Sequence, residues 1–201
     1  MKRLICSVLV LAFVSLSALA DVLSTPLMLD NGEYEIPAIM TSPEGTVVVP
    51  GVILLHGSAS HKNEVGDLYL RLAEQLANNG IASIRIDFAG TGDSPVDYTH
   101  YTLKTAVRDA EVALAFLRSQ PQVDDHRLGV VGFSQGGLIA QLLLAQQPGI
   151  KSFVAWSSVA SDGIGPFADM FETLYMKAKR EGQVEQQFAW RPPLTISYEW
   201  F

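Results

Sequence analysis

The chain has 201 residues, 48% hydrophobic and 17% charged, with 14 lysines and arginines against 21 aspartates and glutamates and a formal charge of −7. That length suits a single domain with a sizeable core. The acidic balance argues against nucleic acid or an anionic membrane surface as the partner.

Lys2-Arg3 is followed by an apolar run from Leu4 to Leu19, and Ala18-Leu19-Ala20 fits a small-x-small cleavage signal. Residues 1–20 therefore read as a secretory signal peptide, which implies an exported protein, periplasmic or extracellular, with no stable membrane anchor after cleavage. The alternative, a membrane anchor, needs a longer span than this run, which Ser7, Ser15 and Ser17 interrupt. Without the leader, 12 basic face 21 acidic side chains, a formal charge of −9. The one cysteine, Cys6, lies in the leader, so residues 21–201 hold no disulfide, no thiolate nucleophile and no cysteine metal site.

Val22–Leu29 and Glu33–Met40 have the pattern of two strands, and Asp30-Asn31-Gly32 between them is a tight-turn signal. Val47–Val49 and Val52–Leu55 supply β-branched and apolar residues around Pro50-Gly51, and the run ends in His56-Gly57-Ser58. Asp67 is placed to cap a helix from Leu68 to Asn79, with Leu68, Leu72 and Leu76 at four-residue spacing and Gly80 at its end. Ile81–Ile86 is apolar almost throughout, as a parallel strand covered on both faces should be. A turn-rich loop, Asp87 to Pro95, precedes a second helix over about 102–119, which buries Leu103, Val107, Ala110, Leu114 and Leu117. Phe153–Trp156 reads as a further buried strand.

Between them lies Arg127 to Leu138, an apolar strand, a sharp turn and a helix start. It contains Gly132-Phe133-Ser134-Gln135-Gly136, a match to Gly-x-Ser-x-Gly. Set between strand and helix, this pattern is a nucleophile elbow: the serine occupies a strained turn, and the glycines leave room for close backbone approach. Alternating apolar strands and helices predict an α/β domain over 21–201, with a mostly parallel sheet flanked by helices and an N-terminal antiparallel hairpin. In such sheets ligands bind at the carboxyl ends of the strands. His56-Gly57-Ser58, Asp87 and Ser134 all fall at such ends.

Beyond the elbow, Phe167, Met170, Phe171, Leu174, Tyr175 and Ala178 recur at helical spacing. Two readings stay open for this stretch, a lid over a substrate pocket (residues 163–201) and an ordinary core-packing helix. Leu194, Ile196, Tyr198 and Trp200 alternate with polar residues, which predicts a half-buried strand or a lid segment.

His56-Gly57-Ser58, the loop Asp87-Phe-Ala-Gly-Thr-Gly-Asp-Ser94 and Gly132-Phe-Ser-Gln-Gly-Gly137, in this order, resemble the α/β-hydrolases. The resemblance is to the bacterial cinnamoyl/feruloyl-esterase-like and serine-aminopeptidase-like branch. It implies the α/β-hydrolase fold, Ser134 as an acyl-forming nucleophile, and an oxyanion hole made by the N–H groups of Ser58 and Gln135. The substrate would be a small carboxylic ester, or a small peptide or amide, with no metal and no organic cofactor. In this family His56 is a structural histidine of the loop, and Asp87 and Asp93 look like loop-bracing residues.

The same family orders its triad Ser, then Asp or Glu, then His. Here all four histidines, His56, His61, His100 and His126, precede Ser134. His61 and His100 are the candidates for a displaced base. His126 begins the elbow strand, at the opposite end of the sheet. Asp162 is a candidate acid, with a turn role in Ala160–Ile164 as its plainer reading. The simplest expectation from the resemblance is a chain truncated within the lid, its last strands missing and Phe153–Trp156 left as a sheet edge. Two functions compete: a serine hydrolase, and a non-catalytic hydrolase-like protein binding a small ligand or a partner. A dinucleotide site is disfavoured, because Gly90-x-Gly92 lacks a third glycine and opens no helix.

Overall fold

A computed structural model describes residues 21–45, 47–159, 168–189 and 191–201. The expected signal peptide (1–20) and Asp162 lie outside the described residues. β1 (Val22–Asp30) and β2 (Glu35–Pro43) pair antiparallel from Val22 opposite Pro43 to Asp30 opposite Glu35. β2 starts two residues later than the sequence pattern suggests, and Asn31 is the reason. Its side-chain oxygen accepts the N–H groups of Glu33 and Tyr34, both at 2.9 Å, which holds those residues in the turn. Gly32 sits at φ 87° there, a conformation open to glycine without a Cβ penalty.

β3 (Val49–Leu55), β4 (Ala82–Ile86), β5 (Val123–Phe133) and β6 (Ile150–Trp156) form the parallel part of the sheet. The strand order is β1-β2-β4-β3-β5-β6, with β2 antiparallel to β4. β3 runs through Pro50-Gly51 as one strand, and its register against β5 shifts between Val49 and Gly51. A proline, lacking an N–H, is tolerated at such an irregularity.

Three helices cover the sheet: α1 (Leu68–Asn78), α2 (Leu103–Ser119) and α3 (Gln135–Gln146). Strand side chains alternate between faces, and the two cores follow that alternation. Ile53, Leu55 and Val130 pack with Ala110 and Leu114 of α2 and Ile139 of α3. Leu54 and Val131 pack on the other side with Tyr69 and Ala73 of α1. Thr102 caps α2 by a reciprocal pair of bonds with Thr105. Asp67 stands at the start of α1 but gives it no side-chain cap. Its φ of 56° is left-handed, whereas a capping side chain is presented from extended backbone.

β6 ends the sheet, and of its seven residues only Ile150 is buried. Phe153–Trp156 is therefore not the buried strand that its own pattern suggests but, among the described residues, the exposed sheet edge expected from the family resemblance, with Val154 51% accessible. An apolar free edge is a template for another chain. Val154→Lys is expected to lower concentration-dependent association in light scattering, and unchanged association would show that the edge does not self-pair.

Further along the chain, α4 (Ala168–Glu181) leads into an antiparallel pair, β7 (Gln183–Gln186) and β8 (Leu194–Ser197). Ala178, Val184 and Ile196 are buried and join the larger core. The strand expected from Leu194 to Trp200 ends at Ser197, because Tyr198 N–H turns back to Gly182 O at 2.9 Å and a 3-10 turn spans Tyr198–Trp200. Among the described residues no helix is long and apolar enough to cross a membrane.

One buried acid ties the hairpin to the helical layer. Asp109 of α2 is fully buried and accepts Asn31 Nδ2 at 2.8 Å and the Tyr34 hydroxyl at 3.0 Å. Burial outweighs these donors and pushes its carboxyl from 3.8 up to about 6. A raised folded-state value means that the group's stability contribution is complete below 3.8 and lost as pH rises through about 6. Asp109→Asn keeps an acceptor for Asn31 and Tyr34 and removes the charge. Its stability relative to the parent should rise by roughly 2–3 kcal/mol between pH 4 and 8. A pH-independent difference in Tm would contradict this.

Candidate active site

β5 stops at Phe133 and α3 begins at Gln135, so Ser134 alone makes the turn. Its backbone lies at φ 51°, ψ −121°, a strained conformation for a non-glycine residue, costing about 1–3 kcal/mol. Three hydrogen bonds hold it. Ser134 N–H donates to Trp156 O at 3.0 Å, while Ser134 O accepts the N–H groups of Gly137 at 3.0 Å and Val159 at 3.1 Å. The glycines are there for close approach. A Cβ on Gly132 would strike the backbone of Gly136 and Gly137, and one on Gly136 would strike the carbonyls of Leu55 and His56. The first turn of α3 is thereby pressed onto the end of β3.

That contact brings the His56-Gly57-Ser58 turn against the elbow. A Cβ built on Gly57 would lie 3.2 Å from Ser134 Cβ. Neither the Ser58 nor the Gln135 N–H has a hydrogen-bond partner among the described residues. The Gln135 N–H also opens α3, where the helix dipole is positive. The Gln135 side chain is held by the buried Tyr101, whose hydroxyl donates to Gln135 Oε1 at 2.9 Å.

His56 is buried, and its ring is fully engaged. Nδ1 lies 2.7 Å from Gly57 O, so Nδ1 carries the proton, and Nε2 accepts Phe88 N–H at 3.3 Å. Burial lowers its pKa. It is a brace between the ends of β3 and β4. Asp87 braces the same loops from the other side. It accepts Lys62 N–H at 2.6 Å and Lys62 Nζ at 2.5 Å, along with Asp93 N–H at 2.9 Å. Lys62 Nζ also reaches Asp93 at 2.5 Å. Burial works against the Lys62 ammonium, but its bonds to the two aspartates prevail and raise its pKa.

The remaining histidines are elsewhere. His61 is exposed, and its Nδ1 accepts Asn63 N–H at 3.3 Å. His100 is exposed, with Nδ1 3.2 Å from Asp97 O and its ring edge-on to Tyr34. His126 pairs with Asp125 at 3.5 Å. It precedes Ser134 by eight residues of β5, roughly 25 Å along an extended strand. Among the described residues, no histidine hydrogen-bonds Ser134, and no group of three potential metal ligands occurs.

Three further residues have no signal in the sequence pattern. Lys62 and Glu64 lie in a polar run, His61 to Glu64, that reads as solvated loop, yet Glu64 is 1% exposed. Its carboxylate accepts Gly57 N–H at 2.6 Å, Ser60 Oγ at 2.6 Å and Val65 N–H at 2.9 Å. Tyr101 is the third. Beside these loops a cavity of about 520 Å³ lies between the Gly90–Ser94 turn, Tyr98 and β8, lined also by Asp97 and Thr195.

A mostly parallel sheet with an antiparallel hairpin at one end, covered by helices and carrying a serine on a strand-to-helix elbow, is the architecture of an α/β hydrolase. Residues 48–193 match the model of the serine aminopeptidase S33 family, and the chain belongs to that family of α/β hydrolases. Est1E from Butyrivibrio proteoclasticus, solved with ferulic acid bound, superposes with a TM-score of 0.67 at 18% identity, over 87% of this chain and 68% of that one. A dienelactone hydrolase from Anabaena variabilis gives 0.57 at 19% identity, over 69% and 64%. A curated relative from Escherichia coli, an uncharacterized 31.7 kDa protein in the traX-finO intergenic region, is 25% identical over 131 residues, 65% of this chain. The chain spans 45% of that relative's length.

Proposed function

We propose that this chain is the core of a serine hydrolase acting on a small carboxylic ester, or a small peptide or amide, through an acyl-enzyme on Ser134. The observation that carries the reading is the strained Ser134 elbow set against a Gly57-Ser58 turn, where the Ser58 and Gln135 N–H groups have no partner among the described residues. In the reaction, Ser134 Oγ bonds to the carbonyl carbon and its proton passes to a base. The Ser58 and Gln135 N–H groups take the developing oxyanion, a contribution worth roughly 3 kcal/mol per donor in comparable sites. The tetrahedral species then expels the alcohol or amine, and water releases the acid. The ferulic acid held by Est1E supports an aromatic acyl group as the substrate class, given the shared fold. Residues 163–201 act as a lid in this reading. Residues 1–20 direct export.

The second reading, a non-catalytic ligand-binding protein, is favoured by one observation: no histidine among the described residues is bonded to Ser134. Hydrolysis of p-nitrophenyl acetate by residues 21–201, with Ser134→Ala as control, separates the two. Identical traces from folded parent and variant would leave an inactive hydrolase core or the binding protein.

A further inference from the structure

The proposal above gives Ser58 N–H a role, and the structure contains a device that aims it. Two backbone donors lie next to each other in this turn, Gly57 N–H and Ser58 N–H. Glu64 Oε2 takes the first, at 2.6 Å. Its other oxygen, Oε1, takes Ser60 Oγ at 2.6 Å and Val65 N–H at 2.9 Å. One buried carboxylate thus grips the turn on both sides of Ser58 and leaves the Ser58 N–H without a partner among the described residues, one residue from the Gly57–Ser134 contact. Glu64 itself is held at φ 60°, ψ 172°, a region that a side-chain-bearing residue occupies only under constraint. The loop carrying it is pinned by its neighbours. Lys62 bonds Asp87 and Asp93, and the Asn63 side chain accepts Arg85 Nε at 3.0 Å.

We infer that Glu64 is a positioning residue for the oxyanion hole: its carboxylate holds the Gly57–Ser60 turn so that Ser58 N–H faces the carbonyl oxygen bound at Ser134. Glu64 does not touch the substrate and acts through the turn alone. The inference rests on the reading of Ser134 as the nucleophile. Two predictions separate it from a general structural role. The effect must fall on species with tetrahedral, oxyanion-like charge, and a side chain able to accept from Gly57 N–H must restore it. In Glu64→Gln, Oε1 can take Gly57 N–H while Nε2 donates to Ser60 Oγ.

Phenylboronic acid is the probe. Ser134 Oγ bonds to boron, the hydroxyl proton goes to solvent, and boron becomes a tetrahedral anion with one oxygen in the oxyanion position. Adduct formation is read by boron-11 NMR and its affinity by calorimetry, on residues 21–201. Glu64→Ala is expected to weaken binding by about 100-fold, and Glu64→Gln by under about 10-fold. Thermal melts of both variants report whether they are folded. Parent-like affinity in folded Glu64→Ala overturns the inference while leaving the nucleophile reading intact. Equal loss in folded Glu64→Gln and Glu64→Ala also overturns it, since rescue by an acceptor is its signature. Absence of tetrahedral boron in the parent, or its persistence in Ser134→Ala, sinks the nucleophile reading and this inference with it.

Discussion

Ser134→Ala is expected to remove the burst of p-nitrophenolate that residues 21–201 release from p-nitrophenyl acetate. The argument turns on which steps need a proton carrier. p-Nitrophenolate departs as an anion and needs no acid, so acylation of Ser134 requires only that solvent hydroxide take the serine hydroxyl proton, with the Ser58 and Gln135 N–H groups facing the developing oxyanion in the proposed reaction. Deacylation needs an activated water, and none of the four histidines is bonded to Ser134 among the described residues. The parent should therefore show a burst approaching one equivalent, followed by slow turnover. Loss of the histidine in a related triad costs about 10⁶ in turnover, and roughly 10³–10⁴ over water survives from the oxyanion hole and binding. The pH profile distinguishes the sources of the base. Unassisted acylation should climb about tenfold per pH unit between about pH 6 and 9, as hydroxide-dependent attack does. A rate that levels off with rising pH would mean that a side chain serves as base when substrate is bound, and His61 and His100 would then be replaced in turn.

Gly136→Ala should cost the fold more than a methyl group elsewhere. The new Cβ would overlap Leu55 O and His56 O, both backbone atoms at the end of a central strand. Neither can swing aside as a side chain would, so either α3 or β3 must shift. Overpacking of this kind costs about 3 kcal/mol or more, a fall of about 6–12 °C in Tm for a domain of this size. The displacement would also move Gln135 N–H and the His56-Gly57-Ser58 turn, so the burst should vanish in whatever fraction remains folded. Gly149→Ala is the matched control. Its Cβ would meet the end of the Arg118 side chain, which can move, and a loss within about 0.5 kcal/mol is expected. Equal losses at the two positions would contradict the close packing of the elbow on β3.

Much of the architecture could be read from local pattern. Alternation gave the strands, four-residue spacing gave the helices, and the glycines around Ser134 gave the turn. Those features follow from forces acting within a few residues. What escaped was set by distant partners. Phe153–Trp156 has the apolar content of a covered strand, and its edge position was expected only from the family resemblance, because coverage depends on what lies beyond the edge and nothing in its own residues reports that. Glu64 and Lys62 look like solvated loop because the charges that hold them, or the donors they satisfy, are up to 31 positions away. Asn31 lengthened a turn whose sequence suggested a tighter one, through bonds that its side chain alone could make. Of the site, the elbow serine and its glycines were legible, while the grip of Glu64 on the Gly57–Ser60 turn was not.

The central claim is that Ser134 becomes acylated. Residues 21–201 treated with p-nitrophenyl acetate at mildly alkaline pH, quenched in acid and digested, should yield one acetyl group on the peptide that contains Ser134, absent from the Ser134→Ala variant. Acetyl groups confined to lysines, at equal levels in both proteins, would contradict it.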